Sequence, residues 1–258
     1  MALSSSVEKV LRLVEEKTGL PVHIEPDTTL PANLLAKVTV ARGAIPFHQI
    51  GYQTIGNAAP DYLIVFQCGF LLRRYAVPPA DRVDFVESEK AEATVRQWVR
   101  KNPKTPNLTE ESITGLTGFL YRSLLNQLRS TPVGLRVDSW ILSEFPDLAG
   151  LQQEALSRQL NDNAAAFRPD VQARMPEQAL ATNLAMTAAF GLYWSEKLNR
   201  PQIVLPYKAT GQLEAGRALL NIWHDIPDDP AQDKDMIDAW ARKLELSDWY
   251  RWVKDSTT

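Results

Sequence analysis

The chain has 258 residues, 45% of them apolar, which is enough for a buried core in one large domain or two small ones. Its 28 basic and 31 acidic residues give a net charge of −3, which disfavours non-specific binding to DNA or RNA. The single cysteine, Cys68, excludes an intrachain disulfide and a multi-cysteine zinc site.

The N-terminal segment predicts one helix followed by a small sheet. Apolar residues at helical spacing, Val7, Val10 and Val14, indicate an amphipathic helix that ends at Gly19. The segment lacks a basic start followed by an apolar run, so we expect no signal peptide and a cytoplasmic location. Mixed β-branched residues, Gly and Pro then predict three short strands, at about 22–24, 37–41 and 49–52.

The stretch "DYLIVFQCGFLLRRY" predicts a second helix, from about Pro60 to Ala76. A proline and the acidic Asp61 suit a helix N-terminus, and Arg73 in the last turn suits the C-terminal dipole. Because a Pro-Pro pair begins at Pro78, the helix cannot continue further. The apolar content of this stretch predicts that the helix belongs to the core.

This helix resembles the active-site helix of the minimal gluzincin group, the ImmA/IrrE-type metallopeptidase-like proteins, over about 25 residues. Their helix has the form Asp-Tyr-Leu-Ile-Ala-His-Glu-Cys-Gly-His-Ile-Leu-Arg. The residues of this chain that match it are Asp61, Tyr62, Leu63, Ile64, Cys68, Gly69, Leu72 and Arg73. In such zinc peptidases two histidines bind the ion and the adjacent glutamate polarises the attacking water. Here Phe66 and Phe70 take the histidine positions and Gln67 takes that of the glutamate.

These three replacements remove the chemistry that the resemblance would imply. Phenylalanine has no lone pair for a metal ion, and glutamine is not basic enough to act as a general base near neutral pH. We therefore expect no bound metal, no cofactor and no metallopeptidase activity. Because Phe66 and Phe70 are four residues apart, we expect their rings to pack on one another. An ordinary buried helix without this ancestry is the alternative interpretation.

The resemblance also implies a third metal-ligand position, usually acidic, on a later helix. The segment "LRVDSWILSEFPDL" offers Asp138 and Glu144 as the vestigial residue, and the sequence does not separate them.

The rest of the chain predicts mostly helices. A charged helix at 87–101 is followed by the linker candidate "NPKTPN", and Thr109 begins a helix with an apolar stripe from Ile113 to Leu128. Further helices are predicted at Val137–Ser143, Leu148–Leu160, Pro176–Leu198, Gln212–Trp223 and Met236–Leu244. The stretch Ala179–Trp194 within them falls short of a membrane span and predicts a buried helix.

The fold class expected from these elements is α+β, with helices dominating. A small N-terminal sheet with the zincin-like helix would occupy residues 1–101, and a helical portion would occupy residues 107–258. We expect the two portions to pack as one compact unit.

Other candidate chemistry is sparse. His23 and His48 lie on predicted strands, where they could converge as a replacement metal site, although a hydrogen-bonded or exposed histidine is the simpler interpretation. Burial is expected to raise the pKa of the Cys68 thiol and keep it inert. The aspartates of "HDIPDDPAQDKDMID" lack the EF-hand glycine and terminal glutamate, so a solvated turn with Asp235 as a helix cap is predicted instead of a calcium site.

Four of the seven tryptophans lie at or after position 223. Trp249 and Trp252 would share one face of a helix if the C-terminal segment is helical. Two interpretations follow: the aromatic side chains anchor this segment to the rest of the chain, or they form a partner surface.

The function expected from the sequence is a non-catalytic, metallopeptidase-like protein that binds another protein or a peptide, as a regulatory or structural subunit of a complex. Candidate cleft or interface residues are His48, Tyr52, Arg73, Trp249 and Trp252. The sheet edge near His48–Tyr52 would be the place where an extended peptide adds as a strand. The alternatives are a hydrolase with a non-standard site and a nucleic-acid-associated regulatory factor; no membrane association is expected.

Overall fold

A computed structural model of the chain describes residues 3–31, 34–54 and 59–255. The fold is α+β and dominated by helices, as the sequence predicts, and the chain divides into two compact units. The first unit contains the residues up to Asp84, Arg136–Arg158 and the chain from Lys254 onward. The second unit contains Phe85–Leu135 and Gln159–Val253. The linker candidate at 102–107 lies inside the second unit, where the buried Asn102 side chain donates to the Arg174 carbonyl oxygen at 3.0 Å.

Among the described residues the α-helices are α1 (Ser5–Thr18), α2 (Asp61–Ala76), α3 (Glu89–Arg100), α4 (Glu110–Glu144), α5 (Ala149–Ala164), α6 (Pro169–Gln172), α7 (Glu177–Lys197), α8 (Leu205–Ala209), α9 (Leu213–Asp225) and α10 (Asp233–Lys243). The strands are β1 (Val22–Pro26), β2 (Ala36–Thr39), β3 (His48–Tyr52), β4 (Val83–Glu87) and β5 (Tyr250–Lys254). None of these helices is long and apolar enough to cross a membrane.

Helix α1 forms where the periodicity predicts it. The Ser4 side chain accepts from the Val7 amide at the N-terminus, and Gly19 ends the helix with φ 72°. A left-handed backbone at this position favours glycine, whose amide donates to the Glu15 carbonyl oxygen at 2.8 Å. Val10 and Val14 lie on the buried face.

The N-terminal sheet has the strand order β1-β3-β2, with β1 parallel and β2 antiparallel to β3. Strand β3 is therefore the central strand, so the prediction that His48–Tyr52 offers a free sheet edge is wrong. The order of strands depends on which strands pair in the folded chain, and the local residue pattern of each strand does not determine this. Ile50 on β3 is fully buried and belongs to the core that α1 and α2 form with the sheet.

Helix α4 continues through Pro132, where the sequence predicts two separate helices. A proline inside a helix costs one backbone hydrogen bond. Here the Trp223 indole N–H donates to the Pro132 carbonyl oxygen at 2.9 Å, and buried residues follow on the C-terminal side, including Leu135 and Val137. Tertiary contacts thus outweigh the local cost of the proline. Helix α7, which contains the apolar stretch Ala179–Trp194, is buried as predicted.

The C-terminal segment is a strand, so the condition under which Trp249 and Trp252 would share a helix face is not met. Strand β5 pairs with β4, a strand that the sequence analysis did not predict. Phe85 on β4 stacks on Tyr250 with ring centroids 4.3 Å apart, and Trp252 meets Phe85 edge to face. Alternate residues of β5 therefore share a face, as expected for a strand with a period of two.

Candidate functional site

Helix α2 is built into the core of the first unit. Asp61 lies in its first turn, Arg73 and Arg74 lie in its last, and the backbone turns extended at Val77. Ile64, Val65, Cys68 and Leu71 are buried, which matches the prediction of a core helix. Helix α2 packs against α1 on one side and against β2 and β3 on another.

The three positions that would carry the zinc chemistry hold structural contacts. The Phe66 and Phe70 rings pack edge to face with centroids 5.3 Å apart, the contact predicted from their spacing. Both side chains are half-buried. The Tyr62 ring lies 5.8 Å from that of Phe66 and extends the aromatic row along the helix.

Gln67 ties the helix to the sheet. Its side-chain amide nitrogen donates to the Ala36 carbonyl oxygen of β2 at 3.2 Å. An ionised glutamate at this position could not donate to a carbonyl oxygen, because its carboxylate is only an acceptor. Glutamine is thus suited to a structural role here that an ionised glutamate would not fill.

Gly69 allows the C-terminal part of α4 to approach α2 closely. A Cβ atom at Gly69 would lie 2.4 Å from Cγ1 of Val137, a distance at which one of the two must move. This approach brings the next residue, Asp138, beside α2. Glu144, the other candidate for the vestigial third ligand, is exposed at the end of α4. Among the described residues, Asp138 is the one of these two carboxylates that is hydrogen-bonded to α2.

Asp138 is 2% exposed and is held by uncharged donors. The Tyr62 hydroxyl donates to its Oδ1 at 2.7 Å, and the Gln152 amide donates to the same oxygen at 3.2 Å. Burial raises the pKa of Asp138 to about 7, although both hydrogen bonds act to lower it. Burial, followed by the nearby Asp138 carboxyl, also raises the pKa of Tyr62 well above its ordinary value.

The residues of this site do not fit a zinc ion. The two positions that the resemblance would assign to nitrogen ligands hold packed phenyl rings, and the amide of Gln67 is engaged with the sheet. Of these positions and the two acidic candidates, Asp138 alone could supply a ligand atom at α2. Within the ranges that the structure describes, no group of three or more His, Cys, Asp or Glu side chains is placed to hold a metal ion.

The two strand histidines do not converge. The register of β1 and β3 pairs Val22 with His48 and His23 with Gln49, which places the imidazoles on opposite faces of the sheet. His48 is fully buried and its Nδ1 accepts from the Ala41 amide at 3.1 Å. Burial, and secondarily the Arg74 charge, lowers the pKa of His48. His23 is exposed and its ring stacks on Phe47 at 3.9 Å.

The cysteine is placed for packing. Cys68 is fully buried in α2, and burial raises the pKa of its thiol to about 12. The thiolate that nucleophilic chemistry would need is therefore strongly disfavoured.

Arg73 and Arg74, at the end of α2, lie in different surroundings. Arg74 binds Asp84 at 2.9 Å and Asp255 at 2.5 Å, an ion-pair network within the first unit. Arg73 is half-buried on the same face of α2 as Phe66 and Phe70. The Asp84 and Asp255 partners could not be identified from the sequence, because their pairing with Arg74 joins segments far apart in the chain.

The remaining candidate interface residues are dispersed. Tyr52 is half-buried at the end of β3, in the first unit. Trp249, in the second unit, is 3% exposed and packs on Trp98 and Tyr121. Trp252 is half-buried, and its indole N–H donates to Asp238 at 2.8 Å. Both tryptophans thus attach the C-terminal segment to the second unit.

No protein-family model, no curated protein and no solved structure matches the chain.

Proposed function

We propose that the chain is a non-catalytic, metallopeptidase-like protein that binds another protein or a peptide, as a regulatory or structural subunit of a complex. The observation that carries the proposal is the use of the three vestigial positions of α2. Phe66 and Phe70 pack on one another, and Gln67 holds the Ala36 carbonyl oxygen of β2. Each position that would serve zinc chemistry serves the structure of the first unit instead.

The binding surface that we propose is the half-buried face of α2. Leu63, Phe66, Phe70 and Arg73 are spaced at i, i+3, i+7 and i+10 and are all partly exposed. Phenylalanine and arginine are among the residue types enriched in protein–protein interfaces. This face replaces β3 as the proposed contact, because β3 is paired on both sides.

The state of two other reactive side chains supports a non-catalytic role. The Cys68 thiol is buried with a raised pKa, and the Nδ1 atom of His48 already accepts a backbone hydrogen bond in the core. Neither group is available as a nucleophile or a general base. We find no observation in the described part of the chain that favours the hydrolase or the nucleic-acid alternative.

Metal analysis tests the proposal that α2 is a metallopeptidase-like helix that no longer binds zinc. Protein purified without chelator should contain no stoichiometric zinc, and about one zinc per chain would overturn the proposal. The triple variant Phe66→His, Gln67→Glu, Phe70→His should gain about one zinc per chain, and adding Asp138→Asn should weaken that binding. A folded triple variant that gains no zinc would contradict the metallopeptidase ancestry.

Site-specific cross-linking tests the binding part. A photo-reactive residue at position 70 should capture a partner that the same residue at position 119 does not. Phe119 is the matched control because it is a phenylalanine of the second unit that is 60% exposed. With the photo-reactive residue moved to position 63 on the same face, Phe70→Arg should abolish capture and Phe119→Arg should not. Partner contacts that map only away from α2 would overturn the proposed surface.

A further inference from the structure

The outer edge of β1 carries backbone groups without partners. The His48 amide donates to the Pro21 carbonyl oxygen at 2.9 Å, and the Asp27 amide donates to the Tyr52 carbonyl oxygen at 2.8 Å. Odd-numbered residues of β1 therefore direct their backbone groups toward β3, and even-numbered residues direct theirs outward. The outward amides and carbonyls of Val22 and Ile24 have no hydrogen-bond partner among the residues that the structure describes.

The outer edge of β2 is more protected. The Gln53 amide donates to the Leu35 carbonyl oxygen, so Ala36 and Val38 direct their backbone groups outward. Gln67 occupies the Ala36 carbonyl oxygen, and the neighbouring Lys37 is exposed. The side-chain bond to an outward carbonyl oxygen leaves β2 with fewer free backbone groups for pairing than β1 has. The open edge of this sheet is thus β1.

We propose that β1 pairs antiparallel with β1 of a second copy of this chain, about a two-fold axis at Ile24. In this register each Ile24 amide donates to the Ile24 carbonyl oxygen of the partner subunit. Each Val22 amide donates to the Pro26 carbonyl oxygen of the partner subunit. Proline has no amide hydrogen, and this register uses Pro26 only as an acceptor. The two sheets join as β2-β3-β1-β1-β3-β2.

The side chains of β1 make this pairing self-complementary. The two-fold axis places His23 opposite Glu25 of the partner subunit, and this pair occurs twice. Both residues are exposed on the outer face of the sheet, and their backbone groups face β3. Opposite residues of such a non-hydrogen-bonded pair have their side chains close together.

The two side chains are held on the face that the pairing uses. The His23 ring stacks on Phe47, and its ring nitrogens have no hydrogen-bond partner among the described residues. Gln49 donates to the Glu25 carboxylate from the same face. An extended segment of an unrelated protein could use the same backbone groups, but only a second copy supplies the reciprocal histidine–glutamate pairs.

Sedimentation equilibrium of the full chain, from about micromolar to about millimolar concentration, tests the pairing against the affinities typical of weak complexes. A reversible dimer is expected. His23→Glu places two carboxylates opposite each other and should weaken the dimer roughly tenfold. The exchange variant His23→Glu, Glu25→His should restore it, because it swaps the members of each pair. A chain that stays monomeric throughout, or an exchange variant that is no better than His23→Glu, would overturn the proposal.

A backbone test uses the two edges as a matched pair. Ile24→Pro removes the outward amide at the centre of β1, and Val38→Pro does the same on β2. Both side chains are partly buried against the same core, so their packing losses are comparable. Ile24→Pro should abolish the dimer and Val38→Pro should leave it intact. Equal loss in both variants, or loss in Val38→Pro alone, contradicts the pairing. If circular dichroism shows that Ile24→Pro is unfolded, the charge exchange decides the question.

Discussion

Two carboxylates of this chain, Asp138 and Asp238, each accept a hydrogen bond from a tyrosine hydroxyl, but their surroundings differ. Asp138, in the first unit, accepts from Tyr62 and Gln152 and is buried. Asp238, in the second unit, accepts from Tyr250 at 2.5 Å and from the Trp252 indole. The Asp238 side chain is 23% exposed, and one of its oxygens lies 3.7 Å from Nζ of Lys234.

The comparison shows that two hydrogen bonds from uncharged donors do not keep the pKa of a buried carboxyl low. The bonds from Tyr62 and Gln152 lower the pKa of Asp138, but burial outweighs them and raises it to about 7. Asp238 retains access to solvent and to a cation. There, burial first and the bond to Asp238 second raise the pKa of Tyr250, so its proton stays on the phenol. The cluster around Asp138 thus contains a buried carboxyl with a raised pKa. The cluster around Asp238 holds strand β5 through Tyr250 and Trp252.

The largest expected effect is on the pH dependence of stability. Between about pH 4 and pH 7 the folded chain holds an Asp138 proton that the unfolded chain has lost, because the pKa rises from 3.8 to about 7 on folding. This contribution to stability is fully present below about pH 4 and is lost as the pH rises through 7, by about 4 kcal/mol in total. Asp138→Asn should remove that part of the slope, as measured by urea unfolding across this range.

Asp238→Asn is the matched variant for this measurement. It changes a carboxylate with the same kinds of donors but with solvent and Lys234 nearby. If it flattened the pH profile as much as Asp138→Asn does, burial would not be the cause of the slope.

A smaller effect is expected from the helix contact that places Asp138 beside Tyr62. Gly69→Ala forces a Cβ against Val137 and should destabilise the chain by about 1–3 kcal/mol. Adding Val137→Ala should recover part of this loss in thermal unfolding. Gly115 in α4 is the control, because a Cβ there would meet no described atom within 4 Å apart from its own helix backbone. Gly115→Ala should therefore stabilise the chain by about 0.5–1 kcal/mol. Equal destabilisation by both substitutions would rule out a role of the close contact.

Features that depend on a single stretch of chain, such as helix ends and contacts within one helix, could be predicted from the sequence. The glycine at 19 and the proline at 78 mark the ends of α1 and α2, and the spacing of Phe66 and Phe70 predicts their contact. These features follow from backbone geometry and the helical period, which a single segment contains.

Features that join distant segments could not be predicted in this way. The spacing of Trp249 and Trp252 suits a helix, but pairing of β5 with β4 imposes the period of a strand. The bond from Gln67 to Ala36 depends on the position of β2 at the sheet edge. The hydrogen bonds of Asp138 to Tyr62 and Gln152 also join distant segments, so the sequence could not separate Asp138 from Glu144 and did not point to Gln152.

The smallest expected effect distinguishes the two tyrosines. Tyr62→Phe removes a bond that lowers the pKa of Asp138, so this pKa should rise further and the pH-dependent loss of stability should extend to higher pH. Tyr250→Phe removes the corresponding bond to Asp238 and should cost about 1 kcal/mol without extending the loss. Urea unfolding of both variants over the same pH range measures the difference. Parallel profiles would mean that the Tyr62 hydroxyl does not set the pKa of Asp138. The two clusters would then differ only in burial and in the Lys234 charge near Asp238.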